Sequence, residues 1–277
     1  MSAPPSPARR TPQHRGALLT ALAALLLFFL FSAARAAAQA APEGSVWARI
    51  EASGVIRLGF PGDYAPFALA PASGKGWQGL DVALLSRFAA RHHLHAVFVK
   101  TSWAGLAADL RAGRFEIAGG GVSITPEREK IGLFSRPYLT DGKTVIAPCA
   151  TAQHFATLTD IDRPELRVLV NPGGTNEAFD RRFLPHARLV LWPDNRSIFQ
   201  ALAAGKGDLM ITDAIEARYQ AHRVAGLCAP FASHPFTRSE KAFFLVSDPP
   251  LKEALDRFLD EEERSGELAR LISRSLD

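Results

Sequence analysis

An α/β fold of two similar lobes is what the 277-residue chain predicts. Short apolar runs alternate with amphipathic stretches, the pattern of strands joined by crossover helices. The same order then recurs in the second half. There LAAGKGD (202–208) matches LRAGRFE (110–116), each leaving a helix on a glycine and entering a strand on an acid.

The elements follow in order. Residues 45–53 read as a short helix stopped by Gly54, and VIRLGF (55–60) as a strand that runs into the turn-forming GDYAPF (62–67). Residues 79–92 read as a helix with Leu80, Leu84, Phe88 and Val82, Leu85, Ala89 on its apolar face. AVFV (96–99) is a strand, Leu106 and Leu110 mark a helix, and FEIA (115–118) is a third strand ending at three glycines. In the second half, 166–170, 175–183 and 189–191 read as strand, helix and strand. Asp194 is expected to cap a helix carrying Ile198, Phe199 and Leu202, and 209–211 is the last strand of the repeat. Parallel sheets with helices on both faces are expected.

Two extended segments, 140–147 and 240–246, stand where the chain would cross between lobes. The helical stretches 250–263 and 267–275 would then return to the first lobe. The domain reading is residues 1–40 as a signal peptide, 41–142 with 240–277 as lobe 1, and 143–239 as lobe 2. A cleft between hinged lobes is a natural small-molecule site.

The leader reading rests on Arg9, Arg10 and Arg15, an apolar run over 17–31, and the small-residue sites Ala34-Arg35-Ala36 and Ala38-Gln39-Ala40. That run is short for a membrane span, which needs about 20 residues. Cleavage after Ala40 would leave no stable membrane anchor and place the chain in the periplasm. It also removes four of the 32 basic residues and none of the 28 acidic ones, so the remainder is neutral. Nothing in that balance points to nucleic acid. In an oxidising compartment Cys149 and Cys228 are expected to pair, two free buried thiols being the alternative. His92, His93 and His95 end a helix without a suitably spaced cysteine or acid, and no metal is expected there.

The densest chemistry lies in TDAIEAR (212–218), which follows the apolar Leu209-Met210-Ile211 at a strand-to-helix turn. Ligands of open α/β sheets bind at such turns. Asp213 falls near the helix N-terminus, where a carboxylate is favoured, and Glu216 one turn further in. The residues alone do not separate Glu216 from Glu177 or Asp213 as a catalytic acid. NPGGTNE (171–177) is a glycine-rich helix entry suited to an anion, without the Lys-Ser/Thr ending of a P-loop.

The first half, with Gly62-Asp63-Tyr64, Pro66-Phe67, Gly79-Leu80-Asp81-Val82, residues 125–128 and Phe134-Ser135-Arg136-Pro137-Tyr138, resembles the type II periplasmic solute-binding proteins, particularly the amino-acid-binding branch. A closer likeness runs through Thr101-Ser102-Trp103, Asp141-Gly142-Lys143-Thr144, NPGGTNE, Asp194-Asn195, Ile198-Phe199-Gln200, Asp208-Leu209-Met210, TDAIEAR and Glu240-Lys241-Ala242. These strings are similar to the bacterial periplasmic cyclohexadienyl dehydratase family, over essentially all of the chain after the leader. The two cysteines also fall where that family has them. Phe60-Pro61 and Gly119-Gly120 look less typical.

The resemblance implies a type II fold with an interlobe cleft and two hinge strands. It also implies conversion of prephenate to phenylpyruvate and of arogenate to phenylalanine. Aromatisation drives that reaction, so no cofactor and no metal are expected; homo-oligomers are allowed. The resemblance assigns the acid to Glu216 and a carboxylate clamp to Arg128, which suits bidentate pairing. Ser123 and Thr125 would add donors, Asn171 and Thr175 would hold the substrate or its ring carboxylate, and Trp103 would stack on the ring. Asp63, Asp213 and Lys241 complete the expected set. Tyr64 is placed to help line it, and Lys143 on the first crossing segment is a secondary candidate. The alternative is the amino-acid-binding subunit of an ABC importer, in which Asp213 would pair the ligand ammonium.

Overall fold

The computed structural model describes residue 1, residues 44–71 and residues 76–276. The leader reading falls outside the described residues. Residues 42–277 form one compact unit, and everything below concerns that unit.

Two five-stranded sheets are built on one plan. In the first, Val55–Phe60 lies between His95–Lys100 and Ile117–Ala118, all parallel. In the second, Arg167–Val170 lies between Arg188–Leu191 and Leu209–Asp213, again parallel. The next strand outward is antiparallel in both. Phe244–Leu245 pairs with Ile117–Ala118, and Lys143–Pro148 pairs with Leu209–Asp213. Leu133–Phe134 and Leu227–Cys228 add outer antiparallel strands.

The sheets are therefore mixed, not parallel as the alternation predicted. The reason is the route of the chain. Each antiparallel strand next to the parallel set arrives from the other half, entering at the edge where the parallel strands end, so it must run the opposite way. The crossings meet as a two-stranded ribbon, in which Leu139–Asp141 pairs antiparallel with Ser239–Lys241.

Alternation within the strands explains why the second sheet is covered on both faces. Val145, Val168, Leu209 and Ile211 pack with Phe155, Ile161 and Phe179 on one side. Their chain neighbours Ile146, Leu169 and Met210 pack with Phe199, Leu202 and Leu227 on the other. Cys149 and Cys228, at the outer end of this sheet, are joined as a disulfide.

Helices Val46–Ser53 and Pro249–Arg264 close on one carboxylate. Ser45 caps Val46–Ser53, and Gly54 ends it at φ 67°. Asp248 accepts from the backbone N–H groups of Val46 and Trp47 and also caps Pro249–Arg264 through Leu251 N–H. Arg87 on Leu80–Arg91 holds Glu262 through two hydrogen bonds. Both contacts fasten Pro249–Arg264 against helices of the first half. Asp194 does not cap Ile198–Ala203, whose N-cap is Ser197. It accepts from Arg196 N–H instead, because residues 194–197 form a turn before the helix starts.

A buried carboxylate shapes the loop nearest the cleft. Asp81, in the first turn of Leu80–Arg91, accepts from Gly120 N–H at 2.6 Å, Gly121 N–H at 2.8 Å and Tyr138 O–H at 2.7 Å. Burial raises its carboxyl, and these donors work against the rise. Gly121 sits at φ +75°, and a Cβ there would meet the Phe67 ring at 2.6 Å, so the turn requires glycine. Asp81→Ala strands two buried N–H groups, each costing about 1–3 kcal/mol. Its unfolding free energy in urea should fall by at least about 2 kcal/mol.

Candidate active site

The site is organised by Asp213, the last residue of Leu209–Asp213 and the N-cap of Ala214–Arg223. Its carboxylate is buried and surrounded by donors. Oδ1 accepts from Lys143 Nζ at 2.8 Å. Oδ2 accepts from Tyr64 O–H at 2.5 Å and from Lys241 Nζ. Burial alone would raise this carboxyl, but the two ammoniums outweigh it and hold Asp213 well below the usual carboxylate range. Lys143 and Lys241 stand beside the ribbon because Lys143 opens the strand after Gly142 and Lys241 ends Ser239–Lys241.

The lysines reach further partners. Lys241 donates to Ser123 Oγ at 2.8 Å, and Lys143 to Thr175 Oγ1 at 3.0 Å and to Asn176 Oδ1. Arg128 donates to the Ser123 carbonyl at 2.8 Å. Burial lowers its guanidinium to about 10, still a fixed cation at neutral pH. Trp103 donates to Asp63 Oδ1 at 3.0 Å and meets the Tyr64 ring edge-on at 5.4 Å. Burial also raises the Asp63 carboxyl, and the Trp103 donor works against the rise.

Tyr64, Trp103, Ser123, Arg128, Asn171, Thr175 and Asp213 bound one cavity of about 20 Å³. That is room for about one water and far below the roughly 300 Å³ of ordinary ligand pockets. The walls must part to admit an organic ligand. Across the mouth, Asn195 donates to the Asp63 carbonyl at 3.1 Å, and Arg196 to the Gly62 and Ala70 carbonyls at 2.8 and 2.7 Å. A larger cavity of about 370 Å³ opens on the outer side of Asp63, beside Asn195 and Arg196. Arg128 and Asp213 bound the smaller one, and the two lysines stand behind it on Asp213, so there the chemistry belongs.

Glu216 stands one turn behind Asp213, fully enclosed. It does not bound the small cavity. Its Oε2 accepts from Thr212 O–H, and Oε1 meets no partner among the described residues. Burial pushes its carboxyl well above the ordinary range; the Thr212 donor opposes this and the Asp213 charge adds to it. A buried carboxyl whose proton is held more tightly than usual, near a water-poor cavity, can serve as a proton donor to a bound group.

The structure thus gathers Asp63, Trp103, Ser123, Arg128, Asn171, Thr175, Asp213, Lys241 and Glu216 around one centre. Thr125 is different. It is the N-cap of Pro126–Glu129, and its hydroxyl accepts from Arg128 N–H rather than facing the cavity. Sequence reasoning missed Asn176 and Thr212. Asn176 donates from Nδ2 to Asn171 Oδ1 at 3.3 Å and to Thr212 Oγ1 at 3.2 Å. The signals were present: Asn176 follows the glycine turn, and Thr212 lies four residues before Glu216.

The chain is similar to several known proteins. The family model for bacterial extracellular solute-binding proteins, family 3, matches residues 56–276. The cyclohexadienyl dehydratase of Pseudomonas aeruginosa is 44% identical over 229 residues, spanning 83% of this chain and 85% of that protein. The L-cystine-binding protein TcyJ of Escherichia coli is 24% identical over 228 residues, 82% of this chain and 84% of that protein. Among solved structures, an ancestral amino acid-binding protein, a precursor of cyclohexadienyl dehydratase, superposes with TM-score 0.75 at 30% identity, over 83% of this chain and 98% of that one. An ancestral cyclohexadienyl dehydratase has TM-score 0.53 at 39% identity, over 84% and 97%. The chain belongs to the bacterial extracellular solute-binding proteins of family 3 and, within them, to the cyclohexadienyl dehydratase branch.

Proposed function

We infer that the chain is a cyclohexadienyl dehydratase, a carbon–oxygen lyase acting on prephenate and arogenate. The observation that carries the reading is Glu216, a fully buried acid whose carboxyl burial raises well above the ordinary range, directly behind the ionised Asp213. Glu216 gives its proton to the ring hydroxyl, and the carbon–oxygen bond breaks to release water. The ring carboxylate leaves as carbon dioxide, and its bonding electrons complete the aromatic ring. Glu216 then recovers a proton from solvent. A positioned acid contributes about 10² to 10⁴ in rate.

Arg128, Lys143 and Lys241 bring cations to Asp213, with Asp141 and Asp63 the further carboxyl groups nearby, and such cations suit a substrate carboxylate. Arg128 binds the side-chain carboxylate, with Asn171 and Thr175 at the ring carboxylate and Trp103 against the ring. An importer's binding subunit would offer Asp213 to a ligand ammonium. Here both its oxygens already hold the chain's own donors, which disfavours that reading. The family's extracellular character fits a periplasmic enzyme released from a leader over residues 1–40. Lobe boundaries at 142/143 and 239/240 fit the ribbon between the sheets.

Three outcomes test the reading. The Glu216→Gln protein should bind substrate but form phenylpyruvate from prephenate at least about 10²-fold more slowly; near-normal turnover would take Glu216 out of the acid's role. Arg128→Met should raise KM for prephenate about tenfold or more with a smaller change in kcat, as expected when uniform binding is removed. The third is a stability measurement. Because the folded carboxyl of Glu216 is raised, its contribution to stability is complete below the unfolded value of 4.5 and is lost as pH rises toward the folded one. Glu216→Gln should therefore melt at a higher temperature than the natural chain at pH 7 to 8, and the difference should close near pH 4. An unchanged or lowered Tm at neutral pH would mean that Glu216 is ionised in the folded chain.

A further inference from the structure

From the small cavity, which Asn176 also bounds, back to Glu216, four side chains form a hydrogen-bond chain that has only one direction. The Lys143 ammonium can donate and cannot accept, so the Asn176 atom facing it must be Oδ1. That fixes the amide. Nδ2 then faces Asn171 Oδ1 at 3.3 Å and Thr212 Oγ1 at 3.2 Å, and must donate to both. Thr212 is left to accept from Asn176 and to spend its own proton on Glu216 Oε2. Its cross-strand neighbour Thr144 offers no alternative, because the Thr144 hydroxyl has no hydrogen-bond partner. Thr212 and Glu216 are fully buried and Asn176 is 4% exposed, so water does not easily take over any of these bonds.

The end of the chain has a chemical consequence. Oε2 already receives a proton from Thr212. A second proton on Oε2 would face the first, or would turn the Thr212 hydrogen toward no acceptor. The proton of the neutral acid therefore belongs on Oε1, the oxygen without a partner among the described residues. We propose that Asn176 and Thr212 are positioning residues that keep the acidic proton of Glu216 on Oε1, from which it is delivered to the leaving hydroxyl. The proposal rests on the reading of Glu216 as the acid.

An infrared difference spectrum separates the two. The natural chain minus Glu216→Gln at neutral pH should show the carbonyl stretch of one protonated carboxyl group. With the proton on Oε1, the carbonyl oxygen is Oε2, which accepts from Thr212. Thr212→Val should then move the band to higher wavenumber, and Thr212→Ser should return it. Asn176→Asp removes the donor to Thr212, turns the Thr212 proton toward the new carboxylate, and should move the band in the same direction. It keeps the size of the side chain and its contact with Lys143, so it also serves if Thr212→Val does not fold.

Kinetics gives a second readout. The groups facing Glu216 are Lys143, Asp213, Asp63 and Tyr64. All of them stay in place in Thr212→Val, which adds no charge, so a moved pH limb in that variant reports the lost donor; in Asn176→Asp the new carboxylate would move the limb by itself. Thr212→Val should lower kcat for prephenate about tenfold or more, change KM little, and shift the alkaline fall of kcat to higher pH. A band that stays put in both Thr212→Val and Asn176→Asp, or a natural kcat and pH limb in Thr212→Val, overturns the positioning role. The acid reading would still stand on an inactive Glu216→Gln. Absence of the carboxylic band in the natural chain would overturn both.

Discussion

One buried carboxylate governs the arrangement. Asp213 carries its charge out of water only because two ammoniums and a phenol meet it. Buried ion pairs of this kind are seldom a net source of stability, since each charge loses its hydration. What they do here is tie three separate pieces of chain together. Lys143 comes from one crossing segment, Lys241 from the other, and Tyr64 from the short strand Asp63–Tyr64 that follows Val55–Phe60. Removing the charge at Asp213 would leave two buried cations facing each other, so the cluster specifies how the ribbon meets the second sheet.

The same cluster sets apart two carboxyl groups three residues distant. Asp213 is held ionised by the lysines, whereas the carboxyl of Glu216, one helical turn behind, is raised by burial and by the Asp213 charge toward its neutral form. Opposite protonation states in neighbouring acids are a usual basis for dividing charge binding from proton donation. A solute-binding cleft already provides closure, an arginine for a carboxylate and a dry interior. On the proposed reading, turning it to catalysis needs an acid in the second row and cations that leave Asp213 no room for a ligand ammonium.

Much of the fold was legible because its signals are local. Ser45 and Gly54 mark the ends of the first helix by side-chain capping and a left-handed backbone, and residues 175–183 read as a helix with the bounds found. Strand direction was not legible. The alternation of strands and helices carries no information that Lys143–Pro148 and Phe244–Leu245 enter their sheets from the opposite half. Asp194 likewise looked like a cap, and became a turn residue because the helix starts three residues later.

The sequence by itself determined the secondary structure, the repeat, and the identity of most polar groups in the cleft, since residue type and helical or strand period decide these locally. Only the tertiary structure decided which groups are charged and which way their protons point. Asn176 and Thr212 are ordinary polar residues until Lys143, from a segment more than thirty positions away, fixes the direction of the bonds between them. Protonation and hydrogen-bond direction depend on burial and on through-space neighbours, and neither is written in the order of residues along the chain.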